Sequence, residues 1–539
     1  MSLFKSIATF GGFTFVSRIT GFVRDMVLAN LLGAGTLSDA FFVSFKLPNL
    51  FRSLFAEGAF TSAFVPIFSQ KLVSEGKKKS LFFASKAISV LVFFLLIFIL
   101  LFELFMPYVV NVLAPGFVAD AGKIELATSL CRITFPFLLL VSIVSFQAGI
   151  LNSFEKFAAP ASAPIILNLV MIASAFVFVP FTKTPAHGFA IGITVAGFLE
   201  ILWLQFFLVK QNAKLRPCFK IFKILKDSQI RLLFKRIAPG VVGSGIYQIN
   251  MVVDTILVSL VGTGAISWLY YANRLQQLPL GVVGAAISVA LLPILSKQLK
   301  SGDEIQSKLS QDKAVEYAAL LSFPAAVLMI VLAKPVINIL FEHGQFSSKD
   351  TLMTSFALMA YSVGLPCYVL VKALMPNFFA RGDTITPVKF SAVVFITHLI
   401  FSLILMRPFG HVGIAIATTI SAFVSFAQYV YGLKKRQFWS FSKLLIMKIG
   451  KILLASILMG AVVFIIHCVL NTYFIDWLNF NVIIKLFILG ATGVFGLATF
   501  LFLVTIMKVF DVSQMLKLLK KKRGYDAKQT IMDTNKKQN

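Results

Sequence analysis

Long apolar runs recur along the whole chain, and they restrict the folds open to it. The run from Ala87 to Phe105 is typical of them. A bilayer span needs about 20 mostly apolar residues. Backbone polar groups inside lipid must be satisfied by the chain itself, which leaves helices and closed barrels. Runs of this length favour helices, so the sequence predicts an all-α polytopic membrane protein.

The charge balance first suggests a different partner, because the formal net charge is +28. A nucleic-acid binder presents its lysines and arginines on a folded soluble face, however, and no soluble segment of useful length separates the apolar runs. Only 13% of the residues are charged and 58% are hydrophobic. We therefore expect no nucleic-acid partner, and we interpret most basic residues as a signal of membrane topology.

The apolar segments predict about fourteen transmembrane helices. Six precede a basic stretch, six follow it, and two more lie near the end. Their predicted ranges are 5–33, 37–70, 82–113, 124–152, 160–180, 187–210, 233–261, 265–297, 314–341, 351–380, 386–406, 411–432, 448–471 and 482–508. The first helix shows no small-residue cleavage site, so we expect it to be retained.

Basic residues gather after helices two, six and twelve, in the stretches 71–79, 210–226 and 434–436. The odd-numbered connections are short or poor in lysine and arginine. Basic loops lie on the cytoplasmic side, so we expect even-numbered loops and both termini to face the cytoplasm. The polar, basic tail at 511–539 is expected to be disordered.

An internal repeat divides the chain. The stretch 63–72 at the end of helix two matches 290–299 at the end of helix eight, 227 residues later, and Pro160 and Pro387 share that offset. Six helices per repeat is an even number, so the halves have the same orientation and form a parallel pseudo-twofold pair around a central cavity. The predicted domains are an N-terminal lobe (1–212), a C-terminal lobe (228–436), the pair of helices thirteen and fourteen (437–510) and the tail (511–539).

Charged side chains at membrane depth mark the candidate site. Seven such charges facing lipid would cost on the order of 20 kcal/mol, so we expect them to face the interior. Helix eight adds Arg274, and we expect Pro48 to interrupt helix two because it removes a backbone donor. The seven residues of helices one and two are Arg18, Arg24, Asp25, Asp39, Lys46, Arg52 and Glu57.

These charges have two interpretations. In one they pair with each other, Arg24 or Arg18 with Asp25. Arg52 pairs with Glu57 in the same way, and the pairs hold two helices together. In the other, the surplus of basic groups forms a cationic cavity for an anion, and the guanidinium fork matches phosphate. A drug-cation exporter would need the opposite sign.

Other chemistry finds little support in the sequence. Asp254 is a lone carboxylate in an apolar stretch; it is either an ion or proton site, or a buried acid bonded to a neighbour. The four cysteines and five histidines are scattered, without metal-ligand spacing. No phosphate-binding loop and no acidic cluster for Mg²⁺ is present. We therefore expect a transporter without a cofactor, not an enzyme.

Five motifs give these charges a family context. In order along helices one and two they are SRITGFVRD (17–25), GAG (33–35), SDAF (38–41), KLPN (46–49) and FAEGAF (55–60). This set resembles the N-terminal signature of the MurJ (MviN) lipid II flippases, within the multidrug/oligosaccharidyl-lipid/polysaccharide exporter superfamily. The resemblance extends over about 1–510, including the stretches 270–274 and 383–387.

The resemblance implies a flippase of the bacterial inner membrane. It would move lipid II, the lipid-linked peptidoglycan precursor, from the cytoplasmic to the periplasmic leaflet by alternating access, for cell-wall biogenesis and cell shape. Helices thirteen and fourteen would form a lipid-side groove in contact with membrane lipid, and the protein would be monomeric. Membrane potential, Na⁺ or H⁺ would drive transport. The alternatives are export of another lipid-linked oligosaccharide, of O-antigen type, or multidrug export.

The resemblance also implies roles for single residues. Arginines 18, 24, 52 and 274 would bind the diphosphate-sugar headgroup. Asp39 would act in gating, with Asp25, Lys46 and Glu57 as gating or supporting charges, and Asp254 would be the acid of a sodium site. Two departures are Ser53, where many relatives carry a second arginine, and Gln277, where some carry an acid. The second departure weakens a salt-bridge gate at that position.

Overall fold

The computed structural model describes residues 3–53, 60–216, 218–473 and 480–509. The regular structure of these residues is helical, which confirms the predicted all-α class. The helices are α1 (Leu3–Leu32), α2 (Thr36–Arg52), α3 (Thr61–Ser74), α4 (Gly76–Leu104), α5 (Met106–Leu113), α6 (Ala121–Thr134), α7 (Phe137–Ser153), α8 (Ala158–Val177), α9 (Pro185–Lys210), α10 (Ile221–Leu225), α11 (Ser228–Ser259), α12 (Ala265–Pro279), α13 (Ala285–Lys300), α14 (Glu304–Val331), α15 (Ala333–Phe341), α16 (Ser348–Ala380), α17 (Ile385–Lys435), α18 (Lys443–Tyr473) and α19 (Val482–Ile506).

Ten helical stretches in the described part of the chain are long and apolar enough to cross a membrane. A multi-pass membrane protein is therefore confirmed, while the count of fourteen crossings stays a prediction. Helices α1 and α2, which carry the site charges, are not among the ten. Helix α17 covers both predicted segments 386–406 and 411–432. Its backbone leaves helical geometry at Gly410 (φ 56°, ψ −134°), so the predicted break survives as a kink.

The expected interruption at Pro48 is wrong, because α2 runs unbroken from Thr36 to Arg52. A proline removes the donor that would reach the carbonyl four residues earlier. Here that carbonyl belongs to Ser44, and it accepts a hydrogen bond from the Thr134 hydroxyl of α6 at 2.9 Å. The neighbouring helix therefore supplies the lost bond, and α2 continues past the proline.

The chain forms two compact units. Unit 1 comprises Met1–Tyr271, Leu340–Thr354 and Leu399–Ile414; unit 2 comprises Ala272–Ile339, Ser355–His398 and Ala415–Asn539. The predicted lobes at 1–212 and 228–436 stay a prediction, as does the helix pair at 437–510. The tail at 511–539 lies outside the described residues.

Each unit has its own core. In unit 1, phenylalanines pack α3 against α7, and the ring centroids of Phe64 and Phe146 are 4.5 Å apart in a tilted arrangement. In unit 2, Trp439 is buried and donates its indole N–H to Asp312 at 2.6 Å. The four cysteines are free. Cys131 and Cys367 are buried, as a packing role requires, whereas Cys468 is exposed.

Candidate functional site

Arg24 of α1 lies at the centre of a buried polar cluster in unit 1. Its guanidinium donates to Asp25 Oδ1 from Nε at 3.0 Å and from Nη2 at 2.6 Å. The same side chain donates to Asn168 Oδ1 at 3.1 Å and to the Tyr270 hydroxyl at 3.3 Å. Arg24 is 6% exposed and Asp25 is fully buried. The structure thus brings Arg24 and Asp25 together in the ion pair that the first interpretation proposed.

Neutral side chains fix the orientation of this cluster. Asn168 of α8 donates its amide to the Ser17 carbonyl at 3.0 Å, which holds its oxygen toward Arg24. The Tyr270 ring stacks on Phe42 with centroids 3.9 Å apart, and its hydroxyl donates to Asp25 at 3.3 Å. Three helices therefore position one guanidinium, and rigid support of this kind is typical of a binding or gating group.

Asp39 of α2 forms a second buried cluster in unit 1. It is fully buried, and its Oδ2 accepts from Lys123 Nζ at 2.8 Å and from the Gly264 amide at 2.7 Å. Its Oδ1 accepts from the Ser267 amide at 3.1 Å and from the Ser267 hydroxyl at 2.7 Å. The carboxylate therefore has a charged partner and three neutral donors.

These contacts place Asp39 at the N-terminus of α12, which begins at Ala265. The first amides of a helix have no partner within it and carry a partial positive charge. A carboxylate from α2 fills this capping position, which is more often filled by a side chain of the same segment. Glycine is required at position 264, where the backbone amide donates to Asp39. Its φ is +93°, and a Cβ there would lie 2.8 Å from the Ala34 carbonyl.

Two further pairs of opposite charge occur in unit 1. Lys46 of α2 interacts electrostatically with Asp254 of α11. Arg52, at the end of α2, interacts with the buried Glu200 of α9 and donates to Asn49 Oδ1 at 3.1 Å. Asp254 therefore has a cationic neighbour from the chain itself. Among the described residues, no group of three His, Cys, Asp or Glu side chains is arranged to hold a metal ion.

The remaining predicted residues are distributed differently. Arg18 is half-buried on α1, and within the described part of the chain it has no carboxylate partner. Arg274 is half-buried on α12 and belongs to unit 2. Glu57 lies outside the described residues, so its expected pairing with Arg52 cannot be placed. The role of each arginine in binding substrate stays a prediction.

The basic groups of unit 1 are paired more fully than the sequence suggests, since Lys46 and Arg52 each interact with a carboxylate of another helix. Sequence reasoning missed Lys123 and Glu200, each buried at 3% exposure. It also missed the amide of Asn168. Lys123 and Glu200 could have been recognised because each is a charge in or beside an apolar segment. Such a charge needs a partner inside the protein. The sequence does not indicate which partner such a charge takes, since the pairs join helices that are far apart in the chain.

Comparison with known proteins assigns the chain to a family. The family model described as lipid II flippase MurJ matches residues 28–485. A probable lipid II flippase MurJ of Rickettsia prowazekii is 36% identical over 519 residues, which cover 96% of this chain and 100% of the relative. A second, from Rhizobium meliloti, is 36% identical over 486 residues, or 89% of this chain and 88% of the relative.

Solved structures agree with this result. A lipid II flippase MurJ in an inward closed conformation aligns with a TM-score of 0.76 and 29% identity, over 92% of this chain and 98% of that one. An inward-facing multidrug transporter of the MATE family, in the MOP superfamily, aligns with a TM-score of 0.63 and 15% identity, over 78% and 94%. The latter shows a shared fold alone. The chain belongs to the MurJ family, a family of flippases and not of enzymes.

Proposed function

We propose that this chain is a flippase that moves lipid II from the cytoplasmic to the periplasmic leaflet of the inner membrane, in peptidoglycan biosynthesis. The observation that carries the proposal is the buried Arg24 cluster, in a chain whose relatives are named lipid II flippases and match it almost from end to end. An arginine buried at membrane depth is a functional group by default. The planar fork of its guanidinium matches the geometry of phosphate oxygens.

Capture of the headgroup would begin with an exchange of partners. Arg24 holds one carboxylate oxygen of Asp25 and two neutral groups, Asn168 and Tyr270. A diphosphate offers more charge and more acceptor oxygens than one carboxylate. The arginine would release Asp25 for the diphosphate, while Arg18, Arg52 and Arg274 contribute further positive charge. The neutral partners remain to orient the fork during this exchange.

The polyprenyl tail needs an apolar surface, and unit 2 contains one. A cavity of about 320 Å³ lies among α14, α16, α17 and α18, lined by Phe323, Leu370, Phe426 and Ile449. Burial of apolar surface there would hold part of the tail in an environment like that of the bilayer. Of the helix pair predicted at 437–510, α18 contributes to this lining, which supports the proposal of a lipid-side groove there.

Release would depend on the Asp39 cluster. The four bonds of Asp39 join α2 to α12 and to Lys123 within unit 1. Alternating access between lobes requires contacts of this kind to form in one state and break in another. We infer that Asp39 is a gating residue, with Asp25, Lys46 and Glu57 as supporting charges.

Membrane potential provides a driving force without a cofactor. Each negative charge that crosses outward gains about 2.3 kcal/mol per 100 mV when it traverses the whole field. Coupling to Na⁺ or H⁺ is the alternative, with Asp254 as the ion site. Lys46 already lies within electrostatic range of Asp254, so a sodium ion there would meet a competing ammonium group. We therefore favour the potential. We also propose that both termini lie in the cytoplasm, because the even-numbered loops are basic, and that the protein is a monomer.

The test is complementation in cells depleted of their own lipid II flippase. Alanine at Arg18, Arg24, Arg52 and Arg274 together is expected to give lysis and no lipid II exposed at the outer leaflet. The matched control is Arg132→Ala, an exposed arginine of α6 outside the site, which is expected to complement fully. Equal membrane levels are confirmed by immunoblot.

Two outcomes contradict the proposal. Normal lipid II exposure by the fourfold variant would remove the arginines from the mechanism. Failure of the unmodified chain to expose lipid II, together with export of another lipid-linked glycan, would favour the O-antigen-type alternative.

A further inference from the structure

A basic cleft lies in unit 1 where α4 meets α10 and the start of α11. Two adjoining depressions of about 500 and 700 Å³ share the side chains of Phe82, Lys86 and Asp227. The lysines that line them, here called the basic cleft, are Lys79, Lys86, Lys220, Lys223 and Lys226. The sequence accounts for these lysines only as a topology signal, and the flippase mechanism does not use them.

The acidic residues of the cleft are already neutralised. Lys86 Nζ pairs with Asp227 at 2.6 Å, and Glu75 pairs with Lys71 at 2.6 Å. Among the residues that the structure describes, the four remaining lysines of the basic cleft have no carboxylate partner. The cleft therefore presents a net surplus of positive charge, which a phosphate group would satisfy.

The cleft is a built feature, because its loop is fixed to α4. The Arg216 amide donates to Ser85 Oγ at 3.0 Å, and the Cys218 amide donates to Ser89 Oγ at 2.8 Å. Ile224 is buried in the core of unit 1. The backbone that carries the following lysines is thus held beside α4, and the side chains of Lys220, Lys223 and Lys226 are exposed there.

Large aromatic side chains surround the cleft and point away from the core. Phe219 is 87% exposed and Phe222 is 77% exposed, and Phe82 is 58% exposed. Exposed aromatics next to lysines are typical of segments that lie in the membrane interface, with the rings in lipid and the ammonium groups at the headgroups. The basic cleft therefore has the composition of a segment that lies at headgroup depth.

An apolar cavity lies beyond the cleft along the same two helices. It has a volume of about 330 Å³ and begins at Ala87 and Ile230, the residues that follow the cleft on α4 and α11. It continues along α4 to Phe98, and the rings of Phe94 and Phe234 form an exposed rim. The described lining contains no ionisable side chain. The basic cleft thus adjoins an apolar cavity along the same two helices, an order of charge and apolar surface that matches a headgroup followed by an acyl chain.

We propose that α4, α10 and α11 form a binding site for one anionic phospholipid of the bilayer, with the phosphodiester on the basic cleft and an acyl chain in the α4–α11 cavity. Basic pockets between transmembrane helices are known to bind such headgroups on the cytoplasmic side. The proposal is independent of lipid II transport, since the site shares no residue with the Arg24 or Asp39 clusters.

The test is native mass spectrometry of the purified full chain, delipidated and titrated with phosphatidylglycerol or phosphatidylcholine. One tightly held phosphatidylglycerol is expected, with phosphatidylcholine bound at least tenfold more weakly. The variant K220Q/K223Q/K226Q is expected to lower phosphatidylglycerol binding about tenfold. The matched control K434Q/K435Q/K443Q removes three exposed lysines elsewhere, and it is expected to bind as the native chain does.

A second variant tests the apolar half of the site. Leu91→Trp fills the α4–α11 cavity and keeps every lysine, so it is expected to weaken phosphatidylglycerol binding without a change in net charge. Equal losses in both lysine triples, or none in either, would overturn the proposal, as would equal binding of the two lipids. Binding of lipid II is expected to be unchanged in all variants; its loss along with phosphatidylglycerol would assign the cleft to the substrate instead.

Discussion

Replacement of Asp39 by asparagine tests the gating cluster most directly. The substitution keeps the shape of the side chain but puts an amide where Oδ2 now accepts from Lys123 Nζ and the Gly264 amide. The Lys123 ammonium and the Gly264 amide, both donors, would then face the N–H donors of the new amide. The Lys123 ammonium, at 3% exposure, would also lose its carboxylate partner. Hydrogen bonds to charged groups contribute about 1.5–3 kcal/mol each, and removal of one partner of a buried pair costs about 3–5 kcal/mol. We expect the free energy of unfolding to fall by about 3–5 kcal/mol.

The assay is unfolding of the purified chain in mixed micelles, followed by near-ultraviolet circular dichroism. The double variant Asp39→Asn/Lys123→Met is expected to recover at least about 1.5 kcal/mol of the loss, because it removes the stranded ammonium along with its partner. The control is Asp120→Asn, at an exposed N-cap of α6 where asparagine serves as well as aspartate. A loss under about 1 kcal/mol for Asp39→Asn, or additive effects of the two changes, would refute the reasoning.

Two further predictions concern single residues. Gly264→Ala is expected to destabilise unit 1 by about 1–3 kcal/mol, because φ is +93° and the added Cβ would lie 2.8 Å from the Ala34 carbonyl; an unchanged melting temperature contradicts this. Asp383 lies in the turn between α16 and α17. Burial raises its pKa, but hydrogen bonds from Thr386 and Arg436 outweigh burial and lower the pKa to about 2. Its stabilisation is thus present above about pH 4 and is lost as pH falls toward 2; Asp383→Asn is expected to flatten the stability profile in that window.

Some charge pairs could be predicted from the sequence and others could not. The Arg24–Asp25 pair involves neighbouring residues, so the sequence could offer it as one of two interpretations. Asp39 and Lys123 are 84 residues apart, and Arg24 and Asn168 are 144 apart. Such contacts depend on how each helix is rotated against its neighbours. Pro48 shows the same limit, because the bond that preserves α2 comes from Thr134 on another helix.

The sequence by itself determined that the chain is a helical membrane protein, which stretches are largely helical, and which charges need an interior partner. These are local properties, since a helix in lipid satisfies its own backbone and needs only enough apolar length. Only the tertiary structure decided which carboxylate faces which cation, and it gave Lys46 and Arg52 carboxylate neighbours that the sequence did not assign. Side-chain pairing depends on the relative rotation of helices far apart in the chain, which hydropathy does not encode.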